Sequence, residues 1–209
     1  MSSNHLKRLA MPRSWPLPRK TTVWVTRPTP GAHALELCMP LTLVIRDVLG
    51  MAKTAREVRF ILHNELAMID GRVVKDTRRG VGLMDVLTLG EDNYRCVLDH
   101  NGRLQYRPIS ADEASWKVCR IEGKTTIKGG RTQLNLHDGR NIIVDDPAEY
   151  STGDSLKLNL PDQKILEHIR FGEGTRAYLI GGAHVGSTAD VKEYICLLYT
   201  SDAADDLGR

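Results

Sequence analysis

The sequence predicts an α+β chain of several small modules in series: a basic arm, a helix-and-hairpin unit, a central β domain and a last small barrel. Three observations predict it. Five prolines crowd residues 1–38, helical spacing of apolar residues follows, and Asn-Gly or Asp-Gly turns between short apolar runs then recur. At 209 residues the chain has room for two or three such modules. Its aromatic fraction of 5% means that their cores must be aliphatic.

The arm covers 1–38. Pro12, Pro16, Pro18, Pro28 and Pro30 lie among Lys7, Arg8, Arg13, Arg19, Lys20 and Arg27, a mixture that sustains neither helix nor strand for long. An extended segment that orders on a partner is expected. Trp15 and Trp24 sit inside it, where an indole stacks on a base or a ribose, or else anchors the arm to its own body. The charge is lopsided: residues 1–80 carry 14 Lys/Arg against 6 Asp/Glu, the remainder 15 against 20. A basic N-terminal third is the footprint of a polyanion binder, and nucleic acid is the commonest such partner.

Residues 39–92 form the second unit. Leu41, Leu43, Val44, Ile45, Val48 and Leu49 recur near helical spacing, and Val58, Ile61 and Leu62 do so again after Thr54. Thr54 with Glu57 three residues on reads as a capping box that starts the second helix. The run 67–74 places apolar residues on both sides of Asp70-Gly71, the signal of a tight hairpin. Arg56 and Arg59 share a helix face and join Lys53 in one basic cluster. Arg72, Lys75, Arg78 and Arg79 extend that surface if the hairpin folds against the helix.

From 93 to 170 the pattern is β. Tyr94–Asp99 and Arg103–Ile109 flank Asn101-Gly102, and Thr132–Leu136 and Arg140–Val144 flank Asp138-Gly139. Further strands are expected at Trp116–Ile121, Thr125–Lys128 and Ser155–Leu160, with a short helix started by Ser110 and Glu113, so a small barrel or sandwich results. Lys124, Lys128, Arg131 and Arg140 are candidate phosphate contacts, although basic residues on an open sheet more often serve solubility. Residues 171–195 hold the apolar runs Ala177–Ile180 and Val191–Ile195 between glycine turns, the pattern of a second small barrel.

Several chemistries find no support. No stretch approaches the roughly 20 apolar residues of a membrane span, and a cytoplasmic protein is expected. Cys38, Cys96, Cys119 and Cys196 are widely spaced, giving neither a zinc knuckle nor a redox pair. The signatures of nucleotide loops, nucleophile elbows and zinc proteases are missing, so no cofactor, metal or small-molecule substrate is expected. His137 beside Asp138 mimics a catalytic pair but reads as a turn.

Successive blocks then resemble one family. His5-Leu6-Lys7-Arg8-Leu9-Ala10 and Pro12-Arg13-Ser14-Trp15-Pro16-Leu17-Pro18-Arg19-Lys20 are similar to the N-terminal signature of the archaeal and eukaryotic S4e ribosomal proteins. Asp70-Gly71-Arg72-Val73, Gly82-Leu83-Met84-Asp85-Val86, Cys119-Arg120-Ile121-Glu122 and Gln133-Leu134-Asn135-Leu136-His137-Asp138-Gly139-Arg140-Asn141 continue the match, which spans about 5–195 and looks archaeal. The resemblance implies a structural, non-enzymatic component of the small ribosomal subunit, bound to rRNA and beside other ribosomal proteins. It implies an S4-type (alpha-L) RNA-binding module at 39–92 and a KOW, SH3-like barrel at 171–195, cut short. The RNA contacts expected are Lys7, Arg8, Arg13, Trp15, Arg19 and Lys20 of the arm, together with the basic residues named above in the later modules.

Three departures stand out. Glu65 and Leu66 occupy the helix-to-hairpin turn where the family has glycine and a basic residue, and Asn64 is expected to take the left-handed conformation instead. Ala183 replaces a frequent lysine. The tail 196–209 does not resemble the family and reads as non-native, the translation of an adapter sequence. The rival readings are a free RNA-binding factor, and an RNA-modifying enzyme or its accessory of the pseudouridine-synthase kind. Asn101-Gly102-Arg103-Leu104 mimics the synthase motif, but Gln105 stands where that chemistry needs an aspartate.

Overall fold

The computed structural model of the protein describes residues 4–193. Two five-stranded antiparallel sheets dominate it, and helix is confined to short pieces.

The arm is folded, not extended. Strand β1 (Leu6–Lys7) pairs with β2 (Trp24–Val25), and Met11, Trp15 and Val25 enter the first hydrophobic core. Trp15 is 2% exposed and its indole N–H donates to the Cys38 carbonyl at 2.8 Å. Arg8 closes the loop from within, its Nε donating to the Pro18 carbonyl at 2.6 Å and a terminal nitrogen to Thr22 Oγ1 at 3.2 Å. The prolines do keep regular structure here to two-residue strands and single 3-10 turns. They do not prevent apolar anchors from docking the segment, and so the arm is part of the body.

Strand β3 (Cys38–Pro40) leads into α1 (Leu41–Leu43), which continues as a π-turn over Val44–Val48 with the Leu49 N–H on the Val44 carbonyl. Leu41, Leu43, Val44 and Ile45 are all buried, so this helix passes through the core. Helix α2 (Ala55–His63) lies on it, burying Val58 and Leu62 while Arg56 and Arg59 face water. Thr54 caps it as expected: Oγ1 accepts the Glu57 N–H, and the Glu57 carboxylate accepts the N–H of Lys53. Its exit differs from expectation. Asn64 keeps a negative φ and Glu65 takes the left-handed conformation, φ 59°.

Strands β4 (Ala67–Ile69) and β5 (Arg72–Val73) close on Asp70 and Gly71, both with positive φ, a type I′ hairpin. After β6 (Gly80–Gly82), which pairs with β3, come β7 (Val86–Leu89), β8 (Asp92–Leu98) and β9 (Leu104–Ile109). The sheet order is β5-β4-β7-β8-β9. A boundary at 92/93 therefore cuts the β7–β8 hairpin; the chain leaves this sheet only at α3 (Ala111–Ala114), where Ser110 and Glu113 form the full capping box.

The second unit is built on β10 (Trp116–Thr126), a single strand where the sequence predicts two. Its first half pairs with β13 (Ser155–Asn159) and its second with β11 (Thr132–Leu136), the register shifting between Ile121 and Gly123. Gly123 thus marks an irregularity within a strand and not a break. With β12 (Asn141–Val144) and β14 (Ile165–Ile169) the order is β12-β11-β10-β13-β14, around Cys119, Ile121, Leu134, Leu136, Val144, Leu156 and Leu158. This buried set is aliphatic apart from one thiol, as the low aromatic content predicts.

A last hairpin, β15 (Arg176–Tyr178) with β16 (Thr188–Asp190), docks on the first sheet through Tyr178, whose hydroxyl accepts the Leu98 N–H at 2.8 Å and donates to its carbonyl. A Cβ on Gly186, φ 78°, would lie 2.6 Å from that carbonyl, so the close approach requires glycine. The second strand falls just before the expected Val191–Ile195. Residues 194 and 195, Cys196 and the tail lie outside the described residues.

Candidate nucleic-acid interface

Most of the predicted basic residues stand in water. Lys7, Arg13 and Lys20 on the arm, Lys53, Arg56 and Arg59 around α2, Arg72, Lys75 and Arg79 after the hairpin turn, and Lys124, Lys128 and Arg131 on the second unit are exposed or partly so. Some are engaged: Lys75 meets the Glu65 carboxylate at 2.7 Å, and Lys124 donates to the Pro147 carbonyl. Arg19 and Arg78 donate to the carbonyls of Leu9 and Arg27. The solvent-facing side of α2 adds Phe60, whose ring is exposed beside the two arginines.

Three predicted contacts are elsewhere. Trp15 and Arg8 are internal ties of the arm, unavailable to a base or a phosphate while it is docked. Arg140 belongs to a cluster of charges between the two units. It is centred on Lys117, which has no exposed surface: its ammonium lies 3.0 Å from Asp70 and 2.9 Å from Asp138, and also contacts Asp85. Arg140 contacts Asp70 as well and reaches Asp138 at 3.1 Å. His33 of the arm donates from Nε2 to Asp85 at 3.0 Å, and the backbone N–H groups of Gly82 and Val86 donate to Asp85 and Asp70.

The cluster joins all three parts. Asp70 and Asp85 come from the first sheet's turns, His33 from the arm, and Lys117, Asp138 and Arg140 from β10 and the β11–β12 turn. Burial alone would lower the Lys117 ammonium, but Asp85, Asp70 and Asp138 outweigh it and hold it above its ordinary value. Burial likewise opposes ionisation of Asp85 and Asp138, yet Lys117 keeps both below the usual carboxylate range. Asp70 goes the other way, raised by burial and by the Asp85 charge. His137 is held low by burial, and its Nδ1 accepts the Arg120 N–H, a structural role beyond the expected turn. Each carboxylate of the cluster is taken up by cations or backbone N–H groups of the protein itself. It is a lock between units.

Sequence reasoning missed Lys117. Its signal is present: Lys117, Cys119 and Ile121 alternate on one face of β10, so a lysine occupies a core position. A buried lysine demands carboxylates, and two of them are the aspartates of the Asp-Gly turns.

Known proteins match this chain over most of its length. A model described as the ribosomal family S4e matches residues 90–165, and one described as the RS4NT (NUC023) domain matches 2–36. The small ribosomal subunit protein eS4 of Methanosphaera stadtmanae is 45% identical over 194 residues, covering 92% of this chain and 80% of that protein. The chain belongs to the S4e family. The eS4 protein of Methanocaldococcus jannaschii is 46% identical over 198 residues, covering 90% of this S4e chain and 80% of its own. The crystal structure of the 30S ribosomal protein S4e from Thermoplasma acidophilum superposes with a TM-score of 0.70 at 34% identity, covering 77% of this chain and 83% of that one. This S4e chain is thus an archaeal-type member whose mostly β architecture is that of its family.

Proposed function

We propose that this S4e chain is a structural component of the small ribosomal subunit in the cytoplasm, holding rRNA on its basic face and catalysing nothing. The observation that carries the proposal is family membership over nine-tenths of the chain, joined to an exposed basic surface on α2 and the hairpin. The two helices followed by the hairpin support an S4-type (alpha-L) RNA-binding module beginning at residue 39. That module docks on RNA by shape and phosphate contact, with Lys53, Arg56, Arg59, Arg72, Lys75, Arg78 and Arg79 as its charges. Lys7, Arg13, Arg19 and Lys20 add contacts from the docked arm. Lys124, Lys128 and Arg131 form a second, sparser set on the central β domain. The β15–β16 hairpin fits the start of a KOW-type barrel. Other ribosomal proteins are expected neighbours.

Sedimentation tests this. Expressed in cells, the protein should travel with small subunits and remain there through a high-salt wash. A free RNA-binding factor would wash off, and that result would overturn the assignment.

A further inference from the structure

We propose that the groove between the arm and the first helix holds one unpaired nucleotide of the RNA, its base stacked on Trp24 and its phosphate beside Arg27 and Arg78. The proposal rests on the rRNA-binding reading and narrows it to a single-stranded feature.

The three tryptophans are used differently. Trp15 is buried and hydrogen-bonded, and Trp116 is half-buried with the guanidinium of Arg95 over its ring at 4.4 Å and the ammonium of Lys157 at 4.6 Å. Trp24 is 56% exposed, although it sits on β2 next to the core residue Val25. The His5 ring leans on it, with centroids 5.6 Å apart at 56°. The β1–β2 register places Lys7 directly opposite Trp24, so the ammonium stem and the indole share a face of the ribbon.

Trp24 opens onto a groove of about 810 Å³, a volume within the range of small-ligand sites. Arg8, Arg27, Arg46 and Arg78 line it, against the single carboxylate of Asp47. Arg46 forks onto Asp47 at 3.0 and 2.8 Å, and Arg8 is held by the arm, so these two are fixed walls. Arg78 uses Nε on the Arg27 carbonyl at 3.1 Å, which orients its guanidinium. An aromatic face with cations around it is the combination that recognises single strands, because each base offers a π-face and each linkage an anion. A continuous duplex keeps its base faces stacked inside and has none to offer Trp24. A neutral or apolar peptide would leave the positive lining without compensation, so the nucleotide is the better fit.

The test uses the full chain with two probes, oligoadenylate of about ten nucleotides and a long continuous duplex, poly(A)·poly(U), in which end faces are negligible. Oligoadenylate should quench tryptophan emission saturably, and W24F should abolish the quenching. W24A should weaken oligoadenylate binding about 5- to 100-fold, the span of one base stack, and leave duplex affinity unchanged. Quenching that persists in W24F, or a W24A protein that holds oligoadenylate like the parent, would overturn the proposal. So would equal losses on both probes. Failure of the broader reading shows separately, as a parent protein that does not bind intact small-subunit rRNA.

Discussion

Lys117 has three carboxylates around its ammonium and no exposed surface, so its charge is sustained by Asp70, Asp85 and Asp138 alone. Removing it leaves those carboxylates with Arg140, His33, the Cys119 thiol and a few backbone N–H groups, and without the ammonium at their centre. Lys117→Met should therefore cost roughly 3–5 kcal/mol, read from a denaturant midpoint, because breaking one side of a buried ion cluster leaves uncompensated charge. The three aspartates are not equivalent. Asp85 and Asp138 have depressed pKa values, so they contribute stability above the unfolded value of about 3.9 that is lost as pH falls through their lower folded values. Asp70 is raised, and its ionisation costs stability as pH rises past that same value. Asp85→Asn should accordingly destabilise more than Asp70→Asn at neutral pH, the more so because asparagine suits the left-handed turn position of Asp70. Equal losses would mean that the carboxylates share one environment.

At the scale of elements, the arm and the exit of α2 carry the sharpest expectations. With Trp15 in the core, the free protein should resist proteolysis at Arg13, Arg19 and Lys20, and Trp15→Ala should open all three sites. Cleavage of the parent at the same rate would return the arm to an extended tether. Glu65 sits in a left-handed conformation that a side chain opposes, and Glu65→Gly should raise Tm by a few degrees despite removal of the pair with Lys75. Thr54→Ala should cost about 1 kcal/mol by removing the cap of α2. Elements were legible where a local rule settles them: the capping residues Thr54 and Ser110 and the Asn-Gly and Asp-Gly turns all stand where the sequence puts them. β3 and β6 are too short for alternation to show. The arm's docking depends on Trp15 meeting a carbonyl 23 residues away, which no local pattern encodes. Lys117 was readable by counting alternate positions within the predicted strand Trp116–Ile121, but the carboxylates that receive it come from other elements and no local pattern encodes them.

Across the whole molecule, the clamp that joins the units and the basic face are separable. The charges of the lock are turned inward, whereas Arg56 and Arg59 are exposed on the water side of α2. Membership of the S4e family was legible because its blocks are long and ordered. The division of the arginines into lock and face was not, since Arg140 and Arg56 are identical as letters and differ only in what folds around them. The deciding measurement is the salt dependence of binding to small-subunit rRNA, taken on the parent and on the double variant Arg56→Ala with Arg59→Ala. Affinity of the parent should fall steeply with salt, and the double variant should bind more weakly with a log–log slope shallower by about two, one for each phosphate no longer neutralised. Binding that ignores salt, or a double variant with the affinity and slope of the parent, would contradict the account.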